Sequence, residues 1–204
     1  MASSPTFVLL GPFEMRVDSY LVPIGTPKQR AVLAALAINR NRPVASDSLI
    51  GAVWGEDAPA EARASLHAYI SNLRRLLRTA GADGRQLLEK ASPGYRLNVA
   101  ETDVDLGRFI EARSAGLEAA AMGLFEDASR HLSAALSEWR GEFLEDLRGF
   151  RFVETFAVAL TEDRISAHPS ERRRRSPADE LPRSSANRRN SLPNTRTEKP
   201  CGHS

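Results

Sequence analysis

One stretch of the chain concentrates side chains that could bind a charged ligand. Residues 60–78 read AEARASLHAYISNLRRLLR, and on a helix the cations and short polar groups share one face. That face comprises Arg63, His67, Ser71, Arg74, Arg75 and Arg78. Ala64 and Ala68 lie between them and would let the face approach a surface closely. Cations on a helix with small side chains suit the major groove of DNA, while an ordinary solvated amphipathic helix would show the same pattern.

The opposite side of this helix is apolar and is expected to pack against a core. It carries Ala62, Leu66, Tyr69, Ile70, Leu73, Leu76 and Leu77. Upstream, residues 6–24 predict a small antiparallel sheet, because apolar and polar residues alternate along short segments. Asp18-Ser19 indicates a turn within that sheet.

Two further helices are predicted between this sheet and residue 60. Thr26 and Gln29 form a capping-box pattern around a proline, which indicates a helix that runs to about Asn39. Ser46 is expected to cap a second, shorter helix. A polar loop, residues 55–59, then leads into the cationic helix.

A β-hairpin is predicted directly after the cationic helix. Its strands are residues 86–91 and 95–99, and they carry Lys90 and Arg96. Strands, three helices and a hairpin are the layout of a winged helix-turn-helix, in which the third helix enters the major groove and the hairpin, or wing, contacts the DNA backbone or minor groove. Alternatively, the hairpin only closes the sheet, and Tyr95 is interpreted as a core residue.

Two groups of segments carry a resemblance to a known family. LHAYISNLRRLL followed by SPGYRL resembles the recognition helix and wing of the OmpR/PhoB-type DNA-binding domain, whose hallmark is a basic helix containing LR and a hairpin closing on GYRL. LLGPFEMRVD, TPKQRAVLAALAINRNRPV and the loop after Trp54 are similar to the subgroup called SARP regulators. The resemblance covers roughly residues 6–168.

The resemblance implies that the chain binds double-stranded DNA at direct repeats upstream of promoters. It implies that Arg74 and Arg75 contact phosphate or guanine. It also implies that His67 and Ser71 face base edges.

The wing and one loop receive roles from the same resemblance. Arg96 or Lys90 would contact the DNA backbone near the wing. The loop that contains Gly55, Glu56 and Asp57 would face RNA polymerase, which is a second implied partner.

Residues 103–168 predict three helices. The expected apolar linings are Val104, Leu106, Phe109, Ile110 and Leu117 for the first, Phe125, Ala128, Leu132, Ala135, Leu136 and Trp139 for the second, and Phe152, Val153, Phe156, Ala157 and Leu160 for the third. The first pair, separated at Met122-Gly123, looks like one tetratricopeptide-type unit, which in the family begins the bacterial transcriptional activation domain. Contact with polymerase or a sensing domain, or simple packing on the winged helix, both remain open.

Residues 169–204 differ from the rest in composition. They contain nine Lys and Arg, four Asp and Glu, five Pro and almost no apolar residue, which predicts disorder. Three interpretations stay open: a basic arm that adds non-specific DNA affinity, a plain solvated tail, or the product of a frameshift. In the last case the chain would be a truncated regulator.

Composition argues against several other classes of protein. The one cysteine, Cys201, cannot form a disulfide framework or a Cys-based zinc site, and the four histidines lack metal-ligand spacing. No apolar run reaches the roughly 20 residues that span a bilayer, and no signal peptide is indicated, so a cytoplasmic location is expected. No nucleophile motif or phosphate-binding glycine loop is present, so we expect neither an enzyme nor a cofactor or metal.

The sequence therefore predicts an α+β chain in three parts. These are an OmpR/PhoB-type winged-helix domain (1–102), a partial, tetratricopeptide-like, all-α activation domain (103–168) and a disordered basic tail (169–204). The predicted function is sequence-specific DNA binding in transcriptional regulation. The alternatives are a protein-interaction module, an antagonist that forms mixed oligomers with a sister regulator or competes for its DNA, and a decayed product that does not fold stably. A homo-oligomer is also considered.

Overall fold

An antiparallel meander begins the chain in the computed structural model, which describes residues 4–168. Its strands are β1 (Pro5–Val8), β2 (Glu14–Val17) and β3 (Tyr20–Leu21), in the order β1-β2-β3. Asp18 and Ser19 both have positive φ, the backbone that a two-residue hairpin turn requires. The predicted sheet and its turn are confirmed.

Three helices follow: α1 (Pro27–Ile38), α2 (Ser46–Trp54) and α3 (Ala62–Thr79). At the start of α1 the Thr26 hydroxyl accepts the Gln29 backbone N–H at 3.3 Å, as predicted. The reciprocal half of the capping box is wrong, because the Gln29 side chain is buried and donates to the Ile24 carbonyl instead. A buried polar group needs a hydrogen-bond partner, and the Ile24 carbonyl provides one for the Gln29 amide.

The predicted cap of α2 is also wrong. Ala45 occupies the N-cap position without a side-chain bond, and Ser46 is the first helical residue. The reason is a short strand, β4 (Val44–Ala45), which the sequence analysis did not find. The backbone N–H of Ser46 donates to the Pro93 carbonyl at 3.5 Å. The first residue of α2 is therefore hydrogen-bonded to the turn of the wing.

The wing comprises β5 (Leu88–Ala91) and β6 (Gly94–Leu97), and β4 extends it to a sheet of order β4-β6-β5. Residues 86 and 87 belong to a one-turn helix, α4 (Gly84–Leu87), and not to the predicted strand. Asp83 causes this difference, because its side chain accepts the backbone N–H groups of Arg85 and Gln86.

The second half of the described chain is helical. Its helices are α5 (Asp105–Ala121), α6 (Phe125–Ser137) and α7 (Arg151–Ser166), with short 3-10 turns at Glu101–Asp103 and Glu145–Leu147. The three predicted helices are thus confirmed, but four of their predicted lining residues are exposed: Ile110 (46%), Leu117 (40%), Phe125 (51%) and Phe156 (38%). Each of these side chains is therefore only partly covered by the fold.

The connection between β1 and β2 joins the two halves. The buried Asp105 carboxylate accepts the backbone N–H groups of Leu9 and Leu10, each at 2.9 Å. In the other direction, the Leu9 carbonyl accepts the N–H of Leu144 at 2.9 Å, and the Leu10 carbonyl accepts that of Arg140 at 2.7 Å. Residues 4–168 consequently lie in one compact unit with a continuous core.

None of the helices within residues 4–168 combines the length and apolar character that crossing a membrane would require. Residues 169–204 lie outside the described residues, so their predicted disorder remains a prediction.

Candidate nucleic-acid interface

Helix α3 divides into a buried side and a cationic side, as its sequence predicts. Its buried residues are Ala62, Leu66, Ile70, Leu73 and Leu77. Its exposed residues include Arg63, His67, Ser71, Arg75 and Arg78, whereas Arg74 is only half-buried. Five of the six predicted contact residues on this helix therefore face solvent together.

The exposed cations of α3 differ in how far they are already paired. Arg63 forms an ion pair with Asp47 of α2, in which both side chains are largely exposed. Arg75 donates from Nη2 to the Asn72 side-chain oxygen at 3.1 Å, within the same helix. Arg78 has no polar side-chain partner among the described residues. Arg75 and Arg78 could bind an external anion at little cost in free energy, because exposed polar pairs contribute little to stability.

Arg74 is engaged inside the domain. Its Nε donates to the Leu88 carbonyl at 2.8 Å, and its guanidinium lies 5.9 Å from the centre of the Tyr95 ring. Tyr95 is only 6% exposed, which confirms its predicted place in the core. His67 contacts the same ring edge-on, with 6.4 Å between ring centres.

The two predicted cations of the wing have different surroundings. Arg96 forms an ion pair with Glu89 at 2.6 Å, and the hydrogen bonds from Arg96 and Asn98 lower the pKa of Glu89. Lys90 is exposed and lies directly opposite Tyr95 in the hairpin register. Directly opposite residues share one face of a hairpin, so Lys90 projects from the face that also contacts α3.

The predicted polymerase-facing loop lies between α2 and α3. It begins at Gly55, whose φ of 67° favours glycine, and Glu56 and Asp57 are exposed. Arg151 at the start of α7 lies 3.6 Å from Glu56, and a cleft of about 350 Å³ separates the loop from residues 149–151. Sequence reasoning missed Arg151, because no local pattern connects residues so far apart along the chain.

An aromatic stack at the base of this loop was also missed. The rings of Trp54 and Tyr69 stack with 6.0 Å between centres and 11° between planes. The Lys28 ammonium lies 5.4 Å from the centre of the Trp54 ring. The stack ties α1, α2 and α3 together where the loop leaves α2. The sequence indicated only that Tyr69 lies on the apolar side of α3 and Trp54 on the inward side of α2, and not that the two rings meet.

The described residues offer little to a metal ion. Within residues 4–168, no group of three or more His, Cys, Asp or Glu side chains is placed to hold one. The chemistry of the site is that of cations, an imidazole and a hydroxyl on one helix, with a lysine beside them on a hairpin.

Two sequence families match this chain. The family described as "Transcriptional regulatory protein, C terminal" matches residues 23–97, which include all three helices and the wing. The family described as "Bacterial transcriptional activator domain" matches residues 104–177.

Several transcriptional regulatory proteins are similar to this chain over about four fifths of its length. Transcriptional regulatory protein EmbR of Mycobacterium tuberculosis is 61% identical over 162 residues, 79% of this chain and 42% of EmbR. Transcriptional regulatory protein MoaR1 of the same species is 48% identical over 168 residues, 82% of this chain and 54% of MoaR1. Regulatory protein AfsR of Streptomyces coelicolor is 35% identical over 78% of this chain and 15% of its own length.

A solved structure resembles the chain over the same region. It is that of Mycobacterium tuberculosis EmbR in complex with a low affinity phosphopeptide, with a TM-score of 0.79 and 60% identity. The match covers 81% of this chain and 44% of the EmbR chain. The present chain thus spans about two fifths of EmbR and about half of MoaR1.

Proposed function

Because the chain belongs to the SARP-type transcriptional regulators, we propose that it binds promoter DNA sequence-specifically. In this proposal α3 enters the major groove and the β5–β6 wing lies on the adjacent backbone. The proposal concerns binding and not catalysis, and it places the protein in the cytoplasm with the DNA.

The cationic side of α3 is the observation that carries the proposal. Arg75 and Arg78 are exposed, and their partners within residues 4–168 are weak or absent. Lys90 projects from the neighbouring wing. The chain as a whole has a formal net charge of only +2, so a local cluster, not bulk charge, would attract the phosphates.

Within this cluster we assign two kinds of contact. Arg75, Arg78 and Lys90 would contact phosphates, and Arg63 would join them if it leaves Asp47. His67 and Ser71 lie between these cations on the exposed side of α3 and would face base edges. Phosphate contacts set position and affinity, whereas base contacts set the preferred sequence.

Protein partners form a second part of the proposal. The acidic loop of Gly55, Glu56 and Asp57 would meet RNA polymerase at promoters with direct repeats. A homo-oligomer or a sister regulator would occupy neighbouring repeats. The exposure of Glu56 and Asp57 supports the accessibility of this loop.

Fluorescence anisotropy with a duplex from upstream of the protein's own gene tests the DNA proposal. We expect tighter binding to this duplex than to a scrambled one. Arg75→Ala should weaken binding to both roughly tenfold, the equivalent of about 1.4 kcal/mol, and should reduce the slope of log K against log salt by about 1.

Arg130→Ala is the matched control. Arg130 is an exposed arginine of α6 that pairs only with Asp127 among the described residues, so this variant removes the same charge far from α3. Equal affinity for the two duplexes, or the same loss in both variants, would contradict the proposal. A protein-interaction module would then be the better interpretation.

A further inference from the structure

We propose that Arg74 is a positioning residue, which holds the wing in its orientation relative to α3, and that it does not contact DNA directly. This inference rests on the proposed DNA-binding function. It replaces the phosphate or guanine contact that the family resemblance implies for this residue.

One side chain contacts both strands of the wing. Through Nε, Arg74 donates to the carbonyl of Leu88, the first residue of β5, at 2.8 Å. Through its guanidinium it lies 5.9 Å from the ring centre of Tyr95, in β6. Leu88 is fully buried and Tyr95 nearly so, and an interaction shielded from water is stronger than the same interaction at an exposed site.

His67 contacts the same ring from two turns earlier on α3. Its imidazole meets Tyr95 edge-on, at 6.4 Å between ring centres and 77° between planes. Residues seven apart lie on the same side of a helix, so His67 and Arg74 both reach Tyr95 from α3. Both residues therefore contact the ring, but His67 stays exposed and able to face a base edge, whereas Arg74 is half-buried.

Arg74 supplies a polar link between α3 and the wing, beside the apolar packing of their shared core. The backbone of β6 lies against α1, α2 and β4, and α3 reaches the wing strands chiefly through side chains. Arg75 and Arg78, by contrast, make no contact with the wing in the described structure. The orientation of Lys90 relative to α3 therefore depends on Arg74 more than on the other cations of the helix.

The chemistry of the guanidinium gives the inference a sharp test. Lysine keeps the positive charge but has one ammonium group, which cannot donate from the Nε position and also stack a planar surface on Tyr95. A phosphate contact would tolerate lysine, because it needs only a cation within reach. A positioning contact would not, and neither would a bidentate contact to guanine. Coupling to Lys90 and hydrogen exchange in the wing separate these last two.

The first measurement is the affinity of the full chain for the upstream duplex in four forms: wild type, Arg74→Lys, Lys90→Ala and the double variant. We expect Arg74→Lys to lose at least about tenfold in affinity. Lys90→Ala should lose several-fold in the wild type, but less than about twofold when Arg74→Lys is present, because the wing is then no longer held in place. Arg75→Lys, which tests a direct contact, should recover most of the loss seen in Arg75→Ala.

The second measurement uses no DNA. Amide hydrogen exchange of residues 88–97 should be faster in Arg74→Lys and Arg74→Ala than in the wild type, and unchanged in Arg130→Ala. Circular dichroism confirms that each variant is folded before either measurement is interpreted.

Three outcomes separate the inference from the proposed function. Affinity of Arg74→Lys within about twofold of wild type, with independent losses at Arg74 and Lys90, would overturn the positioning role and restore the direct contact. Unchanged exchange in the wing would also overturn it. If the wild type shows no preference for the upstream duplex, the proposed function fails, and hydrogen exchange alone decides whether Arg74 holds the wing.

Discussion

At the residue scale, Asp105 shows how one buried carboxylate joins the two halves of the chain. It is fully buried, and its oxygens accept the backbone N–H groups of Leu9, Leu10 and Leu106. Burial nevertheless raises the pKa of Asp105, since desolvation outweighs these hydrogen bonds and the charge of Arg108. Ionising the buried carboxyl group therefore costs free energy, yet its oxygens are the acceptors for three backbone N–H groups.

Asp105→Asn should lower the free energy of unfolding by about 2 kcal/mol at neutral pH. The NH₂ group of the amide cannot accept a hydrogen bond, so at least one backbone N–H group would lose its acceptor. Since the folded pKa lies above the unfolded one, the folded protein binds the extra proton, and the contribution of Asp105 to stability falls as pH rises through this interval. The difference in unfolding free energy between wild type and variant should therefore be largest below about pH 4 and become smaller as the pH rises. Urea titrations at several pH values measure the unfolding free energies of wild type and variant. A difference between them that increases with pH would contradict this account.

At the element scale, the wing reaches its place through a close backbone approach. A Cβ atom built at Gly94 would collide with the Val44 carbonyl oxygen and the backbone of residues 45 and 46. Glycine therefore allows β6 to lie against β4, and β4 in turn sets the start of α2. The glycine of the GYRL motif is required by packing, and its φ is not in the left-handed region.

Gly94→Ala should lower the free energy of unfolding by about 2–3 kcal/mol, since backbone cannot yield as a flexible side chain can. Gly51→Ala is the matched control, because a Cβ there meets nothing within 4 Å in the middle of α2. It should stabilise the protein by about 0.5–1 kcal/mol through helix propensity and chain entropy. Chemical denaturation of both variants tests the pair, and equal changes would show that the close approach is not limiting.

At the scale of the whole molecule, the winged helix and the helical segment pack into one compact unit. Two sequence families meet near residue 100, yet the β1–β2 connection lies inside the helical segment. Asp146 adds to this junction by accepting the backbone N–H of Phe13 at 2.6 Å and pairing with Arg30 of α1. A displacement of the helical segment would consequently alter a contact of α1.

The two tryptophans of the chain, Trp54 and Trp139, report on the two halves separately. Fluorescence of the single-tryptophan variants Trp139→Phe and Trp54→Phe should show urea transitions with the same midpoint, each shifted only by the substitution itself. Asp146→Ala, added to both, should lower the two midpoints together by the equivalent of about 1–3 kcal/mol. Two separate transitions, or a shift in one reporter only, would show that the halves unfold independently.

The sequence by itself determined the features that depend on neighbouring residues. Alternation of apolar residues defines the first sheet, a period of 3.6 defines the two sides of α3, and Met122-Gly123 separates α5 from α6. The combination of a basic helix and GYRL carried the resemblance to the OmpR/PhoB-type domain, and the N-terminal segments carried that to the SARP regulators. These signals are local, because each can be read from consecutive residues of one element or of elements that are neighbours along the chain.

Only the tertiary structure decided which cationic side chains of residues 4–168 are paired. Arg63 has Asp47, Arg96 has Glu89, and Arg74 is tied to Leu88 across the start of the wing. None of these partners is set by helical or strand periodicity, since each pair joins two different elements. The same holds for Ser46, which was expected to be the N-cap of α2. Pairing of β4 with β6 makes Ala45 the N-cap and Ser46 the first helical residue. The position of a side chain on its own element is encoded locally, but its partner is chosen by the packing of elements that meet only in the folded chain.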